Sequence, residues 1–181
     1  MAAKTSVFYL TERVELTATS TNVLDTIDLG AYVDVADRQG ILVHGVDFVF
    51  QGYDTAGNEV AGIQAVYNSD ATIFAQLTDL NRGGIVLADD RALVASGQLL
   101  VDDSNNALDS DSDLYPDNFG PTSAMGGRIV INDQLYFRAR SFGTYAADRS
   151  LQCTVRIKCS VITLTQKDFM AIALQSTAAD N

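Results

Sequence analysis

The chain has 181 residues, 47% hydrophobic and 19% charged, with only 2 prolines and a mean hydropathy of +0.07. That composition excludes a disordered chain and suffices for one well-buried core, and no apolar run is long enough to span a bilayer. The formal net charge is -11, and of the 23 acids only Glu12, Glu15 and Glu59 are glutamates. Such a surface repels a phosphate backbone, so direct nucleic-acid binding is not expected.

Met1 to Lys4 leads straight into an alternating segment, without the apolar core of a secretory signal. Ser6 to Leu16 opens with a β-branched and aromatic run. Val23 to Leu29 alternates with period two, the strand signature. The strongest unit is Ile41 to Tyr53 followed by Glu59 to Tyr67, read as a long hairpin about the turn Asp54-Thr55-Ala56-Gly57-Asn58, whose residues tolerate positive φ. On its first arm Leu42, Val46, Phe48 and Phe50 are read as sharing one face, with His44 beside them.

Asp70 to Leu80 reads as a short helix, from Ile73, Phe74 and Leu77 at i, i+1 and i+4. Ile85 to Val101 holds one or two short strands, or a strand and a helical turn. From Asp102 to Gly127 runs a long acidic loop punctuated by Asn105-Asn106, Pro116, Gly120-Pro121 and Gly126-Gly127. Arg128 to Ile131 and Gln134 to Phe142 are predicted to form a hairpin around Asn132-Asp133. Leu151 to Leu164 is a long strand with Leu151, Cys153, Val155, Ile157, Cys159 and Val161 on one face. Thr165 with Asp168 three residues on resembles a capping box, and Phe169, Ile172 and Ala173 continue at helical spacing, predicting a terminal helix from Gln166 to about Ser176.

Residues 1–181 therefore read as one all-β domain. It is an antiparallel β-sandwich of seven to nine strands, a single jelly roll with a short C-terminal helix. Cys153 and Cys159 lie six residues apart on one strand face, roughly 20 Å at strand rise, too far for a disulfide. They are expected as buried free thiols.

Catalytic groups are scarce. The only histidine is His44, in an apolar strand, where a core or interface role is commoner than general-base work. No Gly-x-Ser-x-Gly elbow, His-Glu-x-x-His, P-loop or Cys-x-x-Cys is present, so the chain is read as a non-enzyme. With no Trp, the rings available to stack on a sugar are Tyr67, Tyr115 and Tyr145.

The sharpest local feature is Asp109-Ser110-Asp111-Ser112-Asp113 with Asp117 beyond. Alternate carboxylates suit a hard cation, which makes calcium the one candidate cofactor, with Asp109, Asp111, Asp113 and Asp117 as ligands. The run begins like an EF-hand loop and then departs from it. Leu114 stands at the sixth position, where glycine is needed, and Gly120 at the twelfth, where a bidentate glutamate is needed.

Charge is also segregated. Six aspartates and no Lys or Arg lie between Ala92 and Gly127, whereas Arg128 to Lys158 holds six cations against Asp133 and Asp148. Basic strands and an acidic loop can pair within one subunit, or head to tail between identical subunits. Arg138, Arg140, Arg156 and Lys158 are the candidate subunit-interface residues.

The layout of a short N-terminal strand, the Ile41–Tyr53 strand, the acidic loop, and Leu151–Leu164 before a terminal helix resembles the small single jelly-roll capsid proteins of tailless icosahedral viruses. The resemblance implies a virion shell subunit, located in the virion, that assembles into capsomers with copies of itself and other capsid proteins. Small RNA-virus coat proteins often carry a basic N-terminal arm, and here only Lys4 precedes Arg13. That departure points to a shell around DNA or around a membrane, without genome contact by this chain. The competing reading is a calcium-dependent, lectin-like or adhesin-like β-sandwich using the acidic loop.

Overall fold

The computed structural model describes residues 2–105, 107–112 and 127–178. Within them the order is β1 (Ala2–Ala3), β2 (Phe8–Leu16), β3 (Asn22–Asp28), β4 (Gln39–Asp54), β5 (Glu59–Ala61), a 3₁₀ turn (Ile63–Val66), β6 (Ala71–Thr78), β7 (Leu93–Asp102), β8 (Ala107–Ser112), β9 (Arg128–Val130), β10 (Gln134–Phe142), β11 (Arg149–Thr163) and α1 (Gln166–Ala178).

All the strand pairings are antiparallel, and they form two sheets. Sheet A runs β2-β11-β4-β9, with β1 extending the β2 edge and β5 the β9 edge. Sheet B runs β3-β10-β6-β7-β8. Successive strands β2 and β3, β5 and β6, β8 and β9, and β9 and β10 lie in opposite sheets, so the chain wraps around its own core. This two-sheet winding is the jelly roll expected from the alternating pattern.

The core is built from the inward face of each strand. Val14 and Leu16, Ile41 and Val43, and the row from Leu151 to Val161 line sheet A, while Ile73, Ala75, Leu77, Leu135, Phe137 and Ala139 line sheet B. Burying each large aliphatic here is worth about 1.5–3 kcal/mol. Phe48 of sheet A stacks on Phe137 of sheet B and fills the space left by Gly97, where an added Cβ would come within 2.9 Å of the Phe48 ring.

Sheet register departs from the simple alternation at one point. Gly45 pairs with Lys158 and Val43 with Cys159, so His44 is the extra residue of a bulge. The bulge shifts the pattern by one, placing Ile41 and Val43 on the core side together with Val46, Phe48 and Phe50. Leu42 lies on the outer side, correcting the shared face read from sequence. There it joins Ile129, Ile162, Leu164 and Ile172 in a second apolar cluster beneath α1. The helix begins as expected: Thr165 Oγ1 donates to Asp168 Oδ2 (2.8 Å) and accepts from the Asp168 backbone N–H (3.2 Å).

Four further expectations change. Asp70 to Leu80 holds the strand Ala71–Thr78 and no helix, since Ala71, Ile73, Ala75 and Leu77 alternate small and large residues toward the core. The second arm of the Asp54 hairpin pairs only through Glu59–Ala61 before the chain turns away. Arg128 to Ile131 and Gln134 to Phe142 do not form a hairpin, because β9 pairs with β4 and β10 with β3 and β6. The Asn132-Asp133 turn instead crosses between the sheets, held where Asn132 Nδ2 donates to the Asp79 carbonyl (2.7 Å) and Leu29 N–H to the Asp133 carbonyl (2.7 Å). Finally, residues 107–112 of the expected loop form β8, an edge strand on β7.

Candidate subunit interface

The alternation of β10 decides where its arginines go. Leu135, Phe137, Ala139 and Ser141 are buried, so Tyr136, Arg138, Arg140 and Phe142 line the outer face of sheet B. The neighbouring strand β6 adds Phe74, whose ring meets Phe142 edge-on at 6.2 Å. The Arg140 guanidinium sits over the Phe142 ring, 4.3 Å from its centroid, an arrangement that fixes the cation's position. Arg138 donates to Asn22 Oδ1 (3.3 Å) on β3. Across the sheet, register gives two rows: Arg140, Phe74, Gln98, Asp111, and Phe142, Thr72, Leu100, Asp109. Leu24, Leu100 and Phe142 are exposed on this face.

One end of that face is covered. Gln76 Nε2 donates to the Val86 carbonyl (2.7 Å) and its Oε1 accepts from Val86 N–H (2.9 Å), while Thr78 Oγ1 donates to the Leu80 carbonyl (2.9 Å). The β6–β7 connection is thereby folded onto the sheet. At the other end, along the Phe142–Asp109 row, runs a trough of about 490 Å³ with Thr72 and Leu100 in its floor, Phe142 on one wall and Asp109 on the other.

Arg156 and Lys158 do not join Arg138 and Arg140. They are exposed on the outer face of sheet A, the opposite side of the sandwich, because their neighbours Val155, Ile157 and Cys159 fill the core. Lys158 is opposite Tyr9 and Arg156 opposite Thr11 on β2 and Asp47 on β4, with the Arg156 guanidinium 5.7 Å from the Tyr9 ring centroid. The four candidate interface residues thus form two patches. Among the described residues, none of the four sits in an ion pair.

The described residues include part of the acidic segment. Asp109 and Asp111 are on β8, opposite Leu100 and Gln98, while Asp113 and Asp117 lie outside the described residues. Asp102 and Asp70, which share the trough with Asp109, are committed to local bonds. Asn105 holds the Asp102 carboxyl below the ordinary range by donating from its side chain (2.6 Å) and backbone (2.9 Å). Asp70 accepts from the Asp103 N–H (3.0 Å). Among the described residues no three His, Cys, Asp or Glu side chains are placed to share an ion.

The groups considered for chemistry are engaged elsewhere. His44 Nε2 and Ser160 Oγ are 2.9 Å apart on the outer face of sheet A, a bond between bulge and neighbouring strand. Cys153 and Cys159 are buried free thiols, and burial pushes their pKa values up to about 12 and about 11, away from the thiolate a nucleophile needs. Tyr67 and Tyr145 are buried against each other, centroids 4.7 Å apart, with Tyr67 donating to Tyr145 (3.2 Å) and Ser141 bonded to Tyr145 (2.6 Å). Burial raises both phenol pKa values, and neither ring presents a face to a sugar. Tyr115 is outside the described residues.

Sequence reasoning missed one group, Arg128. Its side chain is 1% exposed and donates to Asp79 Oδ2 (2.7 Å) and to the carbonyls of Leu93 and Arg91 (2.6 Å each). It joins β9 of sheet A to the β6 and β7 ends of sheet B. In the sequence it looks like one more surface cation, and only the lone polar position in the buried run Arg128-Ile129-Val130 hints otherwise.

No family model and no curated protein matches the sequence. Fifty-nine chains of solved structures match by fold comparison. One is from Desmodium yellow mottle tymovirus, with a TM-score of 0.30, 8% sequence identity, and coverage of 89% of this chain and 91% of that chain. A likeness of that size carries no functional weight.

Proposed function

We propose that the chain is a non-catalytic structural subunit of a virion, a jelly-roll capsid protein that builds a shell with copies of itself and other capsid proteins. The observation that carries this reading is the aromatic-arginine platform on sheet B. In a chain of net charge -11, Arg138 and Arg140 stand on an outer face without an acidic partner among the described residues. Half-buried arginines backed by aromatic rings are the composition of protein–protein contact surfaces rather than of solvated faces. The jelly roll alone hosts lectins as well as shells, so fold does not decide between them. The non-catalytic reading is supported by the burial of both thiols and of Tyr67 and Tyr145, and by the bond of His44 to Ser160.

The test is light scattering and electron microscopy of the purified protein over rising concentration and salt, with and without a chelator. Salt screens the net repulsion of an acidic chain. Uniform capsomers or closed particles that form with chelator present and without sugar are expected. A protein that stays monomeric at high concentration and high salt overturns the reading. Chelator-sensitive retention on a glycan column would move it to a calcium-dependent binding module.

A further inference from the structure

The outer face of sheet B carries both halves of a contact, and they cannot meet within one subunit. Arg138 and Arg140 on β10 are separated from Asp109 on β8 by the strands β6 and β7, roughly 14 Å at three inter-strand spacings. Neither arginine has a carboxylate within ion-pair reach among the described residues, and Asp109 is exposed. We propose that a second copy of this chain seats on this face about a twofold axis along the strands, between β6 and β7. Each copy's Arg140 then faces the other's Asp109 edge, while Arg138, opposite Gln76, lies at the covered end. The inference rests on the self-assembling reading above and names one contact that the subunit makes.

The geometry follows from register. A twofold axis in the plane of the face exchanges β10 with β8 and β6 with β7, keeping position along the strands. Phe142 then lies over the partner's Asp109 and Phe74 over the partner's Gln98, from the two rows already given. Arg140, stacked on Phe142, reaches the same carboxylate. The apolar groups Phe74 on β6 and Leu100 on β7 fall between two charged ends, the arrangement of a desolvated centre with a polar rim. Because one surface carries both partners, the contact is isologous and closes at two copies, unlike the head-to-tail pairing that charge segregation alone suggests. The covered Gln76 end limits the contact to the open rows, and the trough between Phe142 and Asp109 leaves them accessible.

The test is complementation by charge reversal, read by analytical ultracentrifugation, with circular dichroism to establish that each variant is folded. Arg140→Glu and Asp109→Lys should each weaken self-association about 10-fold or more. An equimolar mixture of the two should recover it, since the heterodimer restores opposite charges at both ends. Should either variant alter the fold, Phe142→Ser, on the same exposed face, should give the same loss. Wild-type association in both folded variants, or no recovery on mixing, overturns the twofold contact. If shells still form from those variants, the contact falls while the shell reading stands. If the wild type stops at a dimer that the variants abolish, the contact stands and the shell reading falls. A wild type that remains monomeric removes both.

Discussion

Arg128 and Asp79 form a largely buried ion pair that joins the two sheets, at 2.7 Å. Burial of Asp79 outweighs the attraction of Arg128 and raises its pKa above 3.8. Both partners are desolvated, and the arginine needs the carboxylate beside it once buried. Removing one partner leaves an uncompensated buried charge, whereas replacing both with apolar groups does not. Asp79→Leu or Arg128→Met alone should lose about 3–5 kcal/mol, while Arg128→Met/Asp79→Leu should lose far less. Urea denaturation of all four members of the cycle measures the coupling. Asp54 has the opposite sign. Its Oδ1 accepts from Ala56 N–H (2.9 Å) and Gly57 N–H (3.0 Å), and its Oδ2 pairs with Arg149. The Gly57 bond is the largest cause lowering its pKa from 3.8, with Arg149 adding to it. A depressed carboxyl contributes stability that is present above pH 3.8 and lost as pH falls through the folded value. Asp54→Asn should therefore be less stable than wild type at pH 6, and the gap should close below pH 3.8 in denaturation curves. A gap that is constant across that range would remove Asp54 from the acid response.

At the scale of elements, local patterns succeeded where one period dominated and failed where a neighbour decided. The capping box located the start of α1 at Gln166, because Thr165 and Asp168 satisfy each other without help from the rest of the fold. Thr165→Ala should cost about 1 kcal/mol. Since α1 covers Leu42, Ile129 and Ile162, hydrogen exchange in the helix should rise before exchange in β4 or β11 does. Equal acceleration in all three would mean that the helix is not a separate unit. The bulge at His44 was not visible, because a single extra residue in an apolar strand leaves the composition unchanged and only the partner's register exposes it. The misread helix at Asp70 to Leu80 has the same origin. Ile73, Phe74 and Leu77 satisfy a helical spacing, but pairing with β10 and β7 uses their backbone groups instead.

For the whole molecule, the question is how closely the sheets approach. Gly97 on β7 leaves room for the Phe48 ring of β4, and an added Cβ would lie 2.9 Å from it. Gly97→Val should overpack the core and cost about 1–3 kcal/mol, with part recovered by Phe48→Leu in the same chain. Thermal denaturation of the single and double variants decides this; additive losses would place the strain elsewhere. The same sandwich geometry separates the basic residues. Alternation sends Arg138 and Arg140 out of sheet B and Arg156 and Lys158 out of sheet A, so they serve two different surfaces.

The sequence by itself determined the all-β class, the strand faces of β10 and β11, the buried free thiols, the Asp54 turn and the terminal helix. Each depends on contacts within a few residues or on a period of two, and Asn58 at φ 54° shows the turn adopting the geometry its residues favour. Only the tertiary structure decided which strands pair, because Asn132-Asp133 is as competent to cross between sheets as to close a hairpin. It also decided that Arg128 is buried, that the Asp109 segment is partly strand, and that arginines and Asp109 share one outer face. Those outcomes depend on partners distant in the chain, whose register no local pattern encodes.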